Sequence, residues 1–218
     1  MPIWNKIFLQ NRNSPLIEHL SFFHDHRIIL IISITIIVLN LIRKTLKYSY
    51  LNRFMLESHE TELFWTTLPA FMLIFIAIPS LKTLYIIEEN INPLLSIKTI
   101  GYQWYWSYEY PNYSNIKFNS IFYLSNKIRL ETVSNNLVIP TYTPTRILIT
   151  SKDVIHSWTI PSLGVKADAT PGRINQISIL INHPRIIIGQ CSEICGAGHR
   201  FIPIILESPN IKNFLKII

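Results

Sequence analysis

The residues best suited to chemistry lie in one short stretch near the C-terminus. Cys191-Ser-Glu-Ile-Cys195-Gly-Ala-Gly-His199 contains both cysteines of the chain, and a histidine follows the second cysteine by four positions. Another histidine, His156, stands in a separate apolar stretch upstream. Thiolates and imidazoles bind soft and borderline metals together. The pattern therefore predicts a metal site, provided that the two stretches meet in the fold.

Spacing alone leaves three interpretations of these residues open. Copper suits thiolate and imidazole ligands, and a Cys2His2 set is equally suited to structural zinc. A disulfide between Cys191 and Cys195 is the third, although so short a loop gains little entropic stabilisation from closure. His156 on its own also fits an ordinary core histidine beside Trp158.

Composition favours a membrane protein over a nucleic-acid binder. The chain has 218 residues, 15% of them charged, and its mean hydropathy is +0.26. The formal net charge is +7, but the basic residues are scattered and form no dense stripe. We therefore expect no nucleic-acid partner.

Two apolar segments are long enough to cross a bilayer, which takes about 20 residues. They predict transmembrane helices at about 16–46, with its densest part at 28–42, and at about 62–87. Pro69 and Pro79 interrupt the second, which membrane helices tolerate. A pair of buried helices in a soluble bundle is the alternative, and the nearly uncharged runs disfavour it. The polar residues 24–27 are expected at the membrane interface or against a partner.

The connector between the two helices carries four basic residues, Arg43, Lys44, Lys47 and Arg53. The positive-inside rule places such a loop on the matrix or cytoplasmic side, with both termini on the other side. The first residues lack the features of a secretory signal or a transit peptide, so we expect insertion of the chain as made.

Beyond residue 90 the sequence changes to short apolar stretches separated by turn residues, which is typical of a sandwich or barrel of β-strands. The predicted strands are Leu95–Ile100, Tyr102–Tyr110, Lys127–Val133, Arg146–Thr150, Val154–Ile160, Asn175–Ile181, Arg185–Gly189 and Ile202–Glu207. Residues Ile211–Ile218 are expected to form a last helical turn.

Several stretches, which together cover essentially the whole chain, share one family pattern: Phe23-His-Asp-His26, Trp65-Thr-Thr-Leu-Pro69, Gly101-Tyr-Gln-Trp-Tyr-Trp-Ser-Tyr-Glu-Tyr110, Asp153-Val-Ile-His-Ser-Trp158, Pro161-Ser-Leu-Gly164, Pro171-Gly-Arg173 and the Cys191–His199 stretch. Together they resemble subunit II of mitochondrial cytochrome c oxidase. The aromatic run and the cysteine–histidine stretch are the most specific of these.

The resemblance implies an α+β membrane protein. Residues 1–90 would form an N-terminal segment and a transmembrane helical hairpin, and residues 91–218 a cupredoxin-like Greek-key β domain in the intermembrane space. It also implies a dinuclear copper centre, CuA. Cys191 and Cys195 would bridge both coppers, His156 and His199 would each bind one, and the main-chain carbonyl of Glu193 would be a weak ligand.

The resemblance also implies roles for other residues and for partners. Trp104 would be the entry point for electrons from cytochrome c, the Glu193 side chain a ligand of magnesium shared with subunit I, and Glu62 the mouth of a proton channel. Asp168 and Arg173 could form a charged pair near the contact with subunit I. The chain would lie in the mitochondrial inner membrane, among other oxidase subunits and lipid, with its helix–helix loop in the matrix.

The implied function is that of a subunit of the terminal respiratory oxidase. The chain would pass electrons from cytochrome c to haem in subunit I, where oxygen is reduced and protons are pumped. The alternative is a membrane-tethered domain, stabilised by zinc or a disulfide, with a structural or assembly role. A quinol oxidase subunit is disfavoured because that family lacks the copper cysteines.

Two features depart from the family pattern. The axial methionine expected three residues after His199 is Ile202 here. The chain has 41 Ile and only 3 Met, and many mitochondria translate AUA as Met, so we hypothesise that Ile202 and Ile17 are Met in the living protein. Neutral residues also stand where relatives often carry carboxylates after the aromatic run: Asn112, Ser114, Asn115 and Asn119. Ser134 is a further neutral residue in the region. Glu109 and Asp153 remain, which predicts weak electrostatic steering of basic cytochrome c.

Overall fold

The computed structural model describes residues 10–48, 54, 56–89, 92–114, 116–124 and 131–218. The chain divides into two compact units. One comprises His19–Ile86, and the other comprises the residues before and after that range.

The first unit is helical. Helix α1 spans Pro15–Lys47 and α2 spans His59–Glu88, close to the predicted ranges. Each helix contains an 18-residue window of high mean hydropathy, 2.1 in α1 and 2.0 in α2. Almost none of the residues in these windows is buried. Pro69 and Pro79 lie within α2 and do not end it. Such exposed apolar surface is suited to lipid contact, so the expectation of two membrane helices fits both elements.

One polar contact joins the two helices. The Nε2 atom of His26 lies 3.3 Å from the main-chain carbonyl oxygen of Phe75. His26 belongs to the polar residues 24–27 that were expected at the interface or against a partner. For this residue the partner is the neighbouring helix.

The second unit is built on two five-stranded sheets. The first has the strand order β3-β2-β1-β5-β8 and the second β4-β10-β9-β6-β7. The strands are β1 Leu95–Tyr102, β2 Tyr105–Tyr110, β3 Ile116–Ser120, β4 Leu137–Val138, β5 Thr145–Ser151, β6 His156–Ile160, β7 Val165–Ala169, β8 Asn175–Ile179, β9 Arg185–Cys191 and β10 Pro203–Ser208. This is the β domain predicted from the sequence.

Alternation of side chains creates the core between the sheets. In β5, Thr145, Ile147, Ile149 and Ser151 are buried while the residues between them are partly exposed. Most pairings are antiparallel, but β1 pairs with β5 in parallel, and so does β4 with β10. Helix α3, Ile211–Ile217, follows β10, and Phe214 enters the core.

The strand prediction was wrong at one important place. The predicted strand Tyr102–Tyr110 contains the turn of an antiparallel hairpin. Tyr102 ends β1 and pairs with Tyr105, the first residue of β2, and Gln103 and Trp104 form the turn. The turn has none of the Gly or Asn residues that usually mark a two-residue hairpin. Trp104 therefore lies at the tip of a hairpin, not within a strand.

Three short strands, β3, β4 and β7, were not predicted, and β6 begins at His156 instead of Val154. Most of the predicted strand Lys127–Val133 lies outside the described residues. Its last residue, Val133, makes a single bridge to Phe122.

Candidate metal centre

Three of the predicted ligands meet at one place. The ligand atoms of His156, Cys191 and Cys195 all lie within 4.8 Å of one another, and all three residues are buried. His156 is the first residue of β6 and Cys191 the last of β9. These strands pair, with Trp158 opposite Cys191. The sheet register therefore brings a histidine and a cysteine together although 35 positions separate them in the sequence.

His199, the fourth predicted side-chain ligand, lies beside Cys195. Its Nδ1 atom lies 3.5 Å from the Sγ atom of Cys195. His199 begins a short 3-10 helix, His199–Phe201, and is half-buried. It lies outside the group in which every ligand atom is within 4.8 Å of every other. His199 thus contacts Cys195 from outside the group that His156 forms with the two cysteines.

Asp153 orients the ring of His156. Its Oδ1 atom lies 2.9 Å from Nε2 of His156. The other ring nitrogen, Nδ1, is buried and has no hydrogen-bond partner among the described residues. A carboxylate on one ring nitrogen and a free second nitrogen beside thiols is the usual arrangement of a metal-binding histidine. This buried, unpartnered nitrogen shows that the site fits a metal ion.

The two thiols differ in their electrostatic surroundings. Burial raises the pKa of Cys191, but the His156 ring and the main chain of Ser157 and Glu193 outweigh it and lower that pKa to about 7. Burial and the neighbouring Cys191 raise the pKa of Cys195. The thiolate is the form that binds metal, so Cys191 is the readier of the two to lose its proton.

Both cysteines are free thiols in the structure. The main-chain carbonyl oxygen of Glu193 lies 3.4 Å from Sγ of Cys191, so this predicted weak ligand is at the site. The Glu193 side chain is exposed. Ile202 is only 2% exposed and belongs to the same buried cluster as both cysteines.

The hairpin tip of β1 and β2 lies against the cysteine loop. The indole Nε1 of Trp104 donates a hydrogen bond to the carbonyl oxygen of Cys195 at 3.3 Å, and the Gln103 amide donates to the same oxygen at 2.9 Å. A Cβ atom at Gly198 would come within 2.4 Å of the Trp104 ring. Glycine at 198 is thus what lets the ring pack on this loop, while 40% of Trp104 remains exposed.

The two carboxylates that remain near the aromatic run are both engaged within the domain. Glu109 forms ion pairs with Lys117 at 2.6 Å and with Lys98 at 3.6 Å. Partial burial raises its pKa, but the two lysines outweigh burial and hold the pKa of Glu109 below its ordinary value. Asp153 accepts hydrogen bonds from the main chain of Gln103 and Val154 as well as facing His156.

Other predicted residues lie on other elements of the structure. Glu62 lies in the first turn of α2, in the other compact unit. Asp168 lies on β7 opposite Ser157, and within the described chain no ion pair joins it to Arg173.

Sequence reasoning missed the contributions of three residues to the site. Gln103 and Asp153 form hydrogen bonds there, and Gly101 packs against His156. A Cβ at Gly101 would lie 2.8 Å from Cδ2 of His156, so this glycine leaves room for the imidazole. Their only signal was membership of the aromatic run and of the stretch around His156. Neither stretch reveals which main-chain groups face the cysteine loop.

Comparisons with known proteins cover both units of the chain. Residues 2–83 match the family model for the cytochrome c oxidase subunit II transmembrane domain, and residues 95–209 match that for its periplasmic domain. The cytochrome c oxidase subunit 2 of Yponomeuta malinellus is 52% identical, and that of Choristoneura rosaceana 54%. In both cases the similarity covers 99% of this chain and 97% of the relative.

The β domain is also similar to a solved structure. The periplasmic domain of subunit II of the cytochrome oxidase of Bradyrhizobium japonicum is 38% identical, with a TM-score of 0.57. The similarity covers 58% of this chain and 92% of that one.

Proposed function

Because the chain belongs to the cytochrome c oxidase subunit II family, we propose that it takes electrons from cytochrome c at a dinuclear copper centre, CuA, and passes them to haem in subunit I. The chain is a mitochondrial subunit of the oxidase enzyme complex. Its own contribution to oxygen reduction and proton pumping is the supply of electrons.

One observation carries this proposal. His156, Cys191 and Cys195 lie together, and the Nδ1 atom of His156 has no hydrogen-bond partner among the described residues. Cys191, Cys195, His156 and His199 would hold two copper ions, and the Glu193 carbonyl would be a weak ligand. Copper held there supplies a one-electron couple. The chain's own residues bury the thiols, fix the His156 ring through Asp153 and present Trp104 at the surface.

Trp104 suits the role of electron entry on geometric grounds. It is partly exposed, and its indole donates to the carbonyl of a candidate ligand residue. An incoming donor protein that covers the ring would be one aromatic side chain and one hydrogen bond away from Cys195.

The remaining roles extend the same proposal. The exposed side chain of Glu193 would bind magnesium at the boundary with subunit I, because an exposed carboxylate on a ligand loop suits a hard cation. Glu62 would lie at the mouth of a proton channel. Other oxidase subunits and lipid would cover the apolar helices.

We further propose a location and topology. The chain would lie in the mitochondrial inner membrane with both termini in the intermembrane space and the loop between α1 and α2 in the matrix. Residues 1–90 would be the N-terminal segment and hairpin, and residues 91–218 the CuA domain. The four basic residues of the connector support this orientation.

Metal analysis of the purified oxidase tests the proposal. Two copper ions assigned to this subunit, with the visible absorption of a thiolate-bound copper pair, are the expected result. A single zinc ion, or a Cys191–Cys195 disulfide with no metal, would instead support the alternative of a structural domain. Cys191→Ser should abolish the absorption while the subunit remains in the complex.

A further inference from the structure

We propose that Gln103 is a positioning residue that joins the histidine side of the copper centre to its cysteine loop. Its main chain and its side chain hold different parts of the site. The inference rests on the proposed function, since it concerns how this chain retains copper.

The main chain of Gln103 acts on the histidine side. Its N–H donates to Oδ2 of Asp153 at 2.6 Å, while Oδ1 of the same carboxylate faces Nε2 of His156 at 2.9 Å. Ser151 and the N–H of Val154 also hold Oδ1. The carboxylate is therefore fixed on both oxygens, and with it the direction in which Nδ1 of His156 points.

The side chain of Gln103 acts on the cysteine loop. Its Nε2 atom donates to the carbonyl oxygen of Cys195 at 2.9 Å. That carbonyl belongs to a ligand residue, so holding it limits rotation of the main chain that carries the sulfur. Gly196 makes the approach possible, because a Cβ there would lie 3.1 Å from the same amide nitrogen and its φ is +119°.

The position of Gln103 in the fold explains why one residue can do both. It occupies the tip of the hairpin between β1 and β2, which belong to the first sheet. His156 and Cys191 lie on strands of the second sheet. The hairpin tip thus reaches from one sheet to a ligand set built on the other, so Gln103 ties the site to both.

The test removes the amide donor and measures retention of copper in the purified whole oxidase. Gln103→Glu keeps the length of the side chain but places an oxygen against the Cys195 carbonyl, and Gln103→Met removes the donor without adding charge. Gln176→Glu, on β8 in the first sheet, is the matched control. The readouts are subunit content, electron paramagnetic resonance of the copper pair, and the rate of copper loss to a chelator.

We expect both Gln103 variants to lose copper about tenfold faster than the wild type, with changed copper hyperfine splitting and unchanged subunit content. Gln176→Glu should match the wild type. Release rates and spectra of both Gln103 variants equal to those of the wild type would overturn the inference and leave the proposed function standing. Equal losses in the Gln103 and Gln176 variants would overturn it too, because the effect would then be general destabilisation. A wild-type subunit without copper would overturn the proposed function and this inference together.

Discussion

The indole Nε1 of Trp104 donates a hydrogen bond to the main-chain carbonyl oxygen of Cys195 across 3.3 Å. The contact depends on the absence of a side chain at Gly198, whose added Cβ would meet the Trp104 ring at 2.4 to 2.9 Å. Gly198 lies in the same loop as Cys195 and one position before His199. The loop that carries the ligands therefore also sets the position of the surface aromatic.

Gly198→Ala should separate electron entry from copper binding. The new methyl group would displace the Trp104 ring, since the ring atoms lie closer to it than any real contact allows. We expect reduction of the subunit by cytochrome c to slow by about tenfold or more, as small displacements of a reacting group commonly do. Stopped-flow reduction of the purified oxidase measures the rate, and copper content gives the reference.

Ala197→Ser, in the same loop, is the control for that experiment, because position 197 is exposed. It should leave the rate unchanged. A normal reduction rate in Gly198→Ala would show that the position of Trp104 does not limit electron entry.

Gly101→Ala should disturb His156, a proposed copper ligand, and not Trp104. Its Cβ would lie 2.8 Å from Cδ2 and 3.0 Å from Cγ of His156, which is fully buried and has little space to move. We expect copper content to fall and copper loss to a chelator to accelerate by about tenfold to a hundredfold.

Gly172→Ala is the matched control for the loss of a glycine. That position has a φ of +75° but no atom within 4 Å of an added Cβ. It should cost about 1 to 2 kcal/mol in the free energy of unfolding and leave the copper content unchanged. Full copper retention in Gly101→Ala would mean that His156 tolerates displacement.

Asp153→Asn should weaken the hold on His156 without changing the shape of the side chain. The amide is a poorer acceptor than the carboxylate for both the His156 ring and the main-chain N–H of Gln103. We expect copper affinity to decrease about tenfold to a hundredfold, read by competition with a chelator. Asp168→Asn, an exposed position on β7, should have no such effect, and equal affinities for the two variants would contradict the role given to Asp153.

Electrostatic steering of cytochrome c should be weak because two lysines offset the negative charge of Glu109. Lys98 and Lys117 both pair with it, so its negative charge is offset within the domain. The association rate should fall only shallowly with added salt. The double variant Lys98→Met with Lys117→Met would free Glu109 and should steepen that dependence.

Lys212→Met with Lys216→Met removes the same two charges from α3 and serves as the control. It should change the salt dependence less than the Lys98 and Lys117 pair does. A steep dependence in the wild-type oxidase would contradict weak steering.

Much of the fold could be predicted from sequence because its signals are local. The long apolar runs gave both membrane helices within three residues of their ends, and the period-2 pattern of Thr145–Ser151 gave a buried strand. The hairpin at Gln103 and Trp104 could not be predicted, because no turn-forming residue marks it. Short strands such as Leu137–Val138 owe their pairing to β10, which lies about 70 positions away.

The candidate site was likewise predictable from the sequence only in part. Residue type and spacing identified the cysteines and histidines, and the resemblance to a known family chose among copper, zinc and a disulfide. Hydrogen bonds to main-chain groups depend on how two sheets meet, so Gln103 as a donor to the Cys195 carbonyl was not visible in the sequence. The same holds for Gly101, whose importance lies in the imidazole that packs against it.

The residue at position 202 would decide whether the proposed copper centre has a thioether ligand. The Ile202 side chain is 2% exposed within the cluster that contains both cysteines, and its carbonyl accepts the Cys191 N–H at 3.1 Å. Because Ile and Met differ little in volume, either residue should fit this site at a cost below about 1.5 kcal/mol. If position 202 is Met in the living protein, peptide mass spectrometry of the native subunit will give the mass of Met there, and an Ile mass ends the hypothesis.

If position 202 is Ile, Ile202→Met should change the copper centre without changing the fold. The axial ligand is one of the features by which a protein tunes a thiolate-bound copper. We therefore expect a shifted reduction potential and slower copper loss, measured by redox titration and chelator competition, with an unchanged unfolding midpoint. Ile204→Met, a buried position on β10 in the same core, is the volume-matched control. A shift of equal size in Ile204→Met would show that the effect comes from packing and not from the thioether.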